Sequence, residues 1–95
     1  MQKELIKIPR TTLDFYKYEK DGLVYYEFDA TACQPPEPMV NTIVALKMIK
    51  NENERLLGVY FHEPFPLFER IRKNFIYDSK ELESGDFRVI FKKSF

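Results

Sequence analysis

A two-layer α/β sandwich of the α+β class is what these 95 residues predict, on three grounds. Two aromatic-rich runs flank Asp21-Gly22, a pair suited to the positive φ angles of a two-residue hairpin turn. Two proline-rich stretches each precede apolar residues at helical spacing, as expected where prolines occupy a helix's first turn and no backbone donor is lost. Short apolar runs of strand length lie between and after those helices, so strands and helices alternate along one chain.

The elements follow in order. Residues 1–11 read as an arm, because Pro9 restricts the apolar Leu5, Ile6 and Ile8 to edge pairing at most. From Thr12 to Asp29 the Asp21-Gly22 turn sets Lys20 opposite Leu23, Glu19 opposite Val24, Tyr18 opposite Tyr25 and Phe15 opposite Phe28. Alternation then assigns Val24, Tyr26 and Phe28 to one face, and Tyr25 and Glu27 to the other. Pro35, Pro36 and Pro38 lead into a helix in which Met39, Ile43 and Leu46 share a face, Val40 and Ile49 flank it, and Asn41 and Met48 point away. Leu56 to Phe61 is apolar enough for a central strand. Pro64 and Pro66 open a second helix over 66–73, with Leu67, Phe68 and Ile71 inward. Strands at 76–82 and 87–92 close the chain around Ser84-Gly85-Asp86, the last with Phe87, Val89 and Phe91 inward. Two successive strand-helix-strand units imply right-handed crossovers, parallel pairing of the strands they join, and both helices on one face. Residues 12–95 are thus expected to form a single domain.

Composition narrows the function classes. Hydrophobic residues make up 44% and charged residues 32%, and no apolar run approaches the length needed to span a bilayer, so no membrane partner is expected. Fifteen basic and fifteen acidic side chains cancel, which removes the net field that draws a protein to nucleic acid. A single cysteine, a single histidine and an N-terminus without a signal-peptide pattern point to a reducing cytoplasm, without a disulfide framework. Three glycines make no phosphate loop, and no nucleophilic triad has the spacing of a motif. No cofactor is implied.

Chemistry is expected at the carboxyl ends of the strands, where open α/β sheets bind ligands. The loop after the first long strand carries Asp29, Cys33, Gln34 and Glu37; the loop after the central strand carries His62 and Glu63. These six form the candidate ligand-binding set, and Asp29, Cys33, Glu37 and His62 are expected at one edge of the sheet. Cys33 has two readings: a thiolate able to carry sulfur or respond to oxidants, and a small buried hydrophobe. The second is favoured, because the Glu37 carboxylate opposes thiolate formation. His62 is read first as a loop imidazole bonded to a backbone carbonyl and second as a catalytic base. No ligand spacing supports a metal site. Tyr16, Tyr18 and Tyr25, with Tyr60 and Ile90, are assigned to the sheet face away from the helices, a surface suited to a protein partner or a weak homodimer. The strand at 12–19 is expected to present an open edge as a second route to self-association.

Along Asp29 to Met39 the sequence D-A-T-A-C-Q-P-P-E-P-M resembles the TusA-like (SirA-like) superfamily, in which a strand ends in aspartate and a C-P-x-P motif opens the first helix. The similarity is closest to an uncharacterised branch with a P-P-E-P-M loop. It extends through His62-Glu63-Pro64-Phe65-Pro66-Leu67 and Gly85-Asp86-Phe87-Arg88-Val89, covering roughly residues 24–92 in one register. The resemblance implies a β-α-β-α-β-β fold, two helices on one face of a four-stranded mixed sheet, to which the hairpin adds an edge strand. Proteins of that superfamily relay a persulfide from the motif cysteine to a partner. The position aligned with that cysteine is Pro35 in this chain, and Thr31 replaces the branch's usual arginine. The expectation is therefore a non-catalytic binding or accessory module for a protein partner or small ligand, with a sulfur carrier acting through Cys33 as the alternative.

Overall fold

The computed structural model describes residues 2–94. Its elements are β1 (Glu4–Ile6), β2 (Phe15–Lys20), β3 (Leu23–Asp29), α1 (Glu37–Leu46), β4 (Glu54–Tyr60), α2 (Phe65–Ile71), β5 (Phe75–Glu81) and β6 (Phe87–Lys93). The six strands form one mixed sheet in the order β1-β2-β3-β4-β6-β5. The class is α+β, with the two helices contributing to a single core against one sheet face.

Asp21 (φ 54°) and Gly22 (φ 81°) both occupy the left-handed region, as the β2-β3 turn demands. The expected register follows from that turn, with Tyr18 opposite Tyr25 and Glu19 opposite Val24. Tyr18 and Tyr25 stack with centroids 5.2 Å apart, and Phe15 lies 4.8 Å from Phe28 on the opposite face. β3 and β4 pair in parallel across α1, bringing Phe28 beside Gly58 and Asp29 beside Val59.

The second crossover differs from expectation. β4 and β5 run parallel but are not neighbours: β6 lies between them, antiparallel to both. The reason is burial. β6 carries Val89 and Phe91, both fully buried, whereas β5 is exposed or half-buried throughout, so the more apolar strand of the final hairpin takes the interior position.

Residues 1–11 are not a free arm over the described part. β1 pairs antiparallel with β2, Leu5 lying opposite Tyr16, and Ile8 is buried in the core. The 12–19 segment is consequently not an open edge.

Three inward assignments also shift. Tyr60 is 2% exposed and faces the helices, its hydroxyl 2.7 Å from Thr42 Oγ1. Alternation within β4 sets Leu56, Gly58 and Tyr60 on one face; the unbroken apolar run hid that parity. Asn41 does not point to solvent but is fully buried, and Val40 is 47% exposed. The Asn41 carboxamide accepts from the amides of Thr12 (2.8 Å) and Leu13 (3.2 Å) and donates to Thr12 Oγ1 and the Glu37 carbonyl (both 2.9 Å). A buried amide with its donors and acceptors satisfied costs little, so α1 turns a polar residue inward and pins the segment leading into β2.

Candidate functional site

α1 and α2 each begin beyond the carboxyl end of a strand, and each N-terminus is built from proline. Pro36 caps α1 and Pro64 caps α2, with neither cap made by a side chain. The Pro35-Pro36 peptide bond is cis. Donors usually left free at a helix N-terminus are largely consumed or absent. The Glu37 amide bonds the Gln34 carbonyl (3.0 Å), Phe65 bonds Glu63 (2.9 Å), Leu67 bonds Pro64 (3.1 Å), and Pro36, Pro38, Pro64 and Pro66 have no N–H. Such ends are poor anion sites, because an anion at a helix N-terminus needs those N–H groups.

Between the two proline loops lies a cleft of about 470 Å³. Five prolines, Pro35, Pro36, Pro38, Pro64 and Pro66, form its walls, with Ala30, Met39, Tyr60, Phe61 and Leu67 as further apolar lining. Its polar groups are those of Cys33, Gln34, His62 and Glu63. Four of the six expected ligand-binding residues therefore line one space, from two loops that β3-β4 pairing brings side by side. Asp29 and Glu37 do not line it. Asp29 closes its own turn, accepting from the amide (2.8 Å) and hydroxyl (2.6 Å) of Thr31. Glu37 accepts a hydrogen bond from Thr12 Oγ1.

Both carboxylates still act on the site through Cys33. The thiol is partly buried, and its pKa is raised first by burial, then by the nearby Glu37 carboxylate, which favours the protonated thiol, and by the negative charge of Asp29. The thiol is thereby held neutral, the state opposite to that of an activated nucleophile. Burial also pushes the Tyr60 hydroxyl up, and its contact with Thr42 keeps it engaged with α1, so Tyr60 serves as floor rather than as an acid or base. His62 is exposed and packs edge-on against Phe61, ring centroids 4.5 Å apart. No group of three or more His, Cys, Asp or Glu side chains among the described residues is arranged to hold a metal.

Of the tyrosines read as an interface, Tyr18 is 8% exposed, covered by Tyr25, by Lys3 with its amine 5.1 Å from the ring centroid, and by Glu27, which accepts its hydroxyl at 2.8 Å. Lys3 also pairs with Glu27 at 2.8 Å. Tyr25 is half-buried, and Tyr16 is exposed at 36%.

The apolar lining was not legible as a site. In the sequence the prolines signal helix starts, and it is their recurrence at both neighbouring strand ends that marks them as walls. Tyr60 was recoverable from the Leu56, Gly58, Tyr60 alternation. No family model matches this chain, and no curated protein or solved structure matches it significantly.

Proposed function

We propose that this chain is a TusA-like accessory module without catalysis of its own, which binds a small, mostly apolar ligand or side chain in the cleft between its proline loops. The observation that carries this reading is the cleft itself: a preformed, largely apolar concavity with a few convergent polar groups has the make-up of a ligand site. Proline walls lose little conformational freedom on binding, which favours recognition over conformational gating. Supporting the TusA-like assignment are the β-α-β-α-β-β order of residues 23–93, both helices on one face, and the position of the P-P-E-P-M and H-x-P-x-P-L segments on either side of one cleft. A lone, neutral thiol is at home in a reducing cytoplasm.

The competing reading is a sulfur carrier acting through Cys33, which does open onto the cleft. Its neighbours Glu37 and Asp29 weigh against it, since persulfide acceptance starts from a thiolate. Two measurements separate the readings. In a 1H–15N NMR titration with a set of aryl amides, binding should shift resonances of residues 30–39 and 60–67 together; shifts scattered elsewhere, or none, would overturn the proposal. Incubation with a cysteine desulfurase and free cysteine should leave the intact mass unchanged, whereas a gain of one sulfur atom on Cys33 would establish the carrier.

A further inference from the structure

The two edges of the sheet are built differently. β1 is three residues long, has Lys3 and Lys7 at its ends and Pro9 close behind, features that discourage further pairing. β5 is seven residues long, contains no proline and, among the described residues, has no neighbour on its outer side.

Which backbone groups face outward follows from the β5-β6 ladder. Asn74 accepts from Ser94 (2.9 Å) and Leu82 donates to Asp86 (2.8 Å), so even-numbered residues direct their N–H and C=O toward β6. Phe75, Tyr77, Ser79 and Glu81 then direct theirs away from the sheet.

The geometry points to antiparallel pairing of β5 with β5 of a second copy of this chain, centred on Ser79. In a two-fold pairing, residues opposite one another lie on the same face, so only a few registers exist. Centring on Asp78 sets Asp78 against itself, and centring on Lys80 sets Lys80 against itself. Centring on Ser79 sets Asp78 opposite Lys80 twice, Ile76 opposite Leu82, and Tyr77 opposite Glu81. The charge pairs fall at non-hydrogen-bonded positions, where side chains approach most closely.

Features within one chain favour the same register. Lys80 sits opposite Arg88 of β6, a like-charge pair that Asp78 of the second copy would offset. Neither Asp78 nor Lys80 has an ion pair among the described residues. Ser79 is small enough to face its own copy across the axis, and its Oγ, buried with no hydrogen-bond partner among the described residues, would gain one only by turning outward about χ1. Ile76, 50% exposed, gains an apolar neighbour.

The test is the oligomeric state of the full chain across a concentration series by analytical ultracentrifugation. The wild type should dimerise. Lys80→Asp turns two attractive pairs into repulsive ones and should raise the dimer dissociation constant by about tenfold or more. Combining it with Asp78→Lys restores opposite charges in the same register and should recover the dimer. Because the Ser79 N–H faces outward, Ser79→Pro should abolish dimerisation with the monomer's circular dichroism retained. A wild type that stays monomeric, or a dimer indifferent to Lys80→Asp, would overturn the proposal; the latter result would place self-association on another surface. Cleft binding by aryl amides is read separately, so either proposal can fail alone.

Discussion

Replacing Gly58 with alanine should destabilise the protein by driving a methyl group into the floor of the cleft. A Cβ built at Gly58 would lie 2.6 Å from the Tyr60 Oη and 2.8 Å from both Cε1 and Cζ. Ordinary carbon contacts are about 3.5–4.0 Å, so the ring must retreat by roughly 1 Å. It has little room. Tyr60 is 2% exposed, its ring meets Phe28 edge-on at 5.8 Å, and its hydroxyl is held 2.7 Å from Thr42. Overpacking of this kind costs about 1–3 kcal/mol, and loosening the Tyr60-Thr42 bond adds about 1 kcal/mol. Loss of glycine's freedom in the unfolded chain returns about 0.4–1 kcal/mol. The net is a loss of roughly 2 kcal/mol, and at about 4–8 °C per kcal/mol for a domain of this size the melting temperature should fall by about 10 °C or more. Differential scanning calorimetry of Gly58→Ala in the wild-type and Tyr60→Phe backgrounds checks both the size and the cause. The phenylalanine background lacks the shortest contact, so Gly58→Ala should cost less there. An unchanged melting temperature would refute the steric argument, and an equal penalty in both backgrounds would refute its assignment to the Tyr60 hydroxyl.

Asn41→Ala should cost roughly 2–4 kcal/mol, because the amides of Thr12 and Leu13 both lose their acceptor; hydrogen exchange at those two amides should accelerate beyond the global change. Glu37→Gln should lower the Cys33 pKa by removing one of the carboxylates that hold it up, so iodoacetamide should alkylate Cys33 severalfold faster near pH 8, while burial still keeps the thiol above the ordinary value of about 8.5. Burial acts to raise the Glu54 carboxyl, but the amides of Lys50 (2.8 Å) and Asn51 (2.9 Å), the Tyr26 hydroxyl and the charge of Lys17 outweigh it and hold its pKa below the usual range. A depressed carboxylate stabilises the fold above its unfolded pKa of about 4.3, and the benefit is lost as pH falls through the folded value. The stability advantage of wild type over Glu54→Gln, measured by urea denaturation, should therefore be present at neutral pH and disappear in acid.

What was legible in the sequence was what local chemistry dictates. Asp21-Gly22 specifies its turn by backbone sterics alone, and the turn carries the whole β2-β3 register with it. Prolines at 36, 38, 64 and 66 mark helix starts for the same reason. Convergence of Cys33, Gln34, His62 and Glu63 on one cleft followed from a single non-local inference, that β3 and β4 pair in parallel. What was illegible depends on partners distant in sequence. Asn41 reads as a surface residue until Thr12 and Leu13 supply its hydrogen bonds from 29 and 28 positions away. Ile8, isolated beside Pro9, carries no periodicity from which burial could be read, and only the docking of β1 on β2 encloses it. The place of β6 beside β4 is a competition between two strands for the interior, decided by Val89 and Phe91 against the exposed side chains of β5.

The site joins these two kinds of information. A helix N-terminus at a strand end normally offers free N–H groups and so favours anions, yet here proline removes donors at 38 and 66, and carbonyls within the two loops consume others. The same substitutions that remove an anion site supply rigid apolar walls. With Asp29 and Glu37 placed behind Cys33 and Glu63 on the lining, the charge surrounding the cleft is more negative than positive, and the thiol is kept protonated. A phosphate or carboxylate ligand would meet the Glu63 carboxylate with few backbone donors to offset it, and a thiolate at Cys33 would face the carboxylates of Asp29 and Glu37. Apolar matter, neutral or cationic, meets neither penalty. The proline loops and the restrained cysteine thus both support the binding role proposed for the cleft.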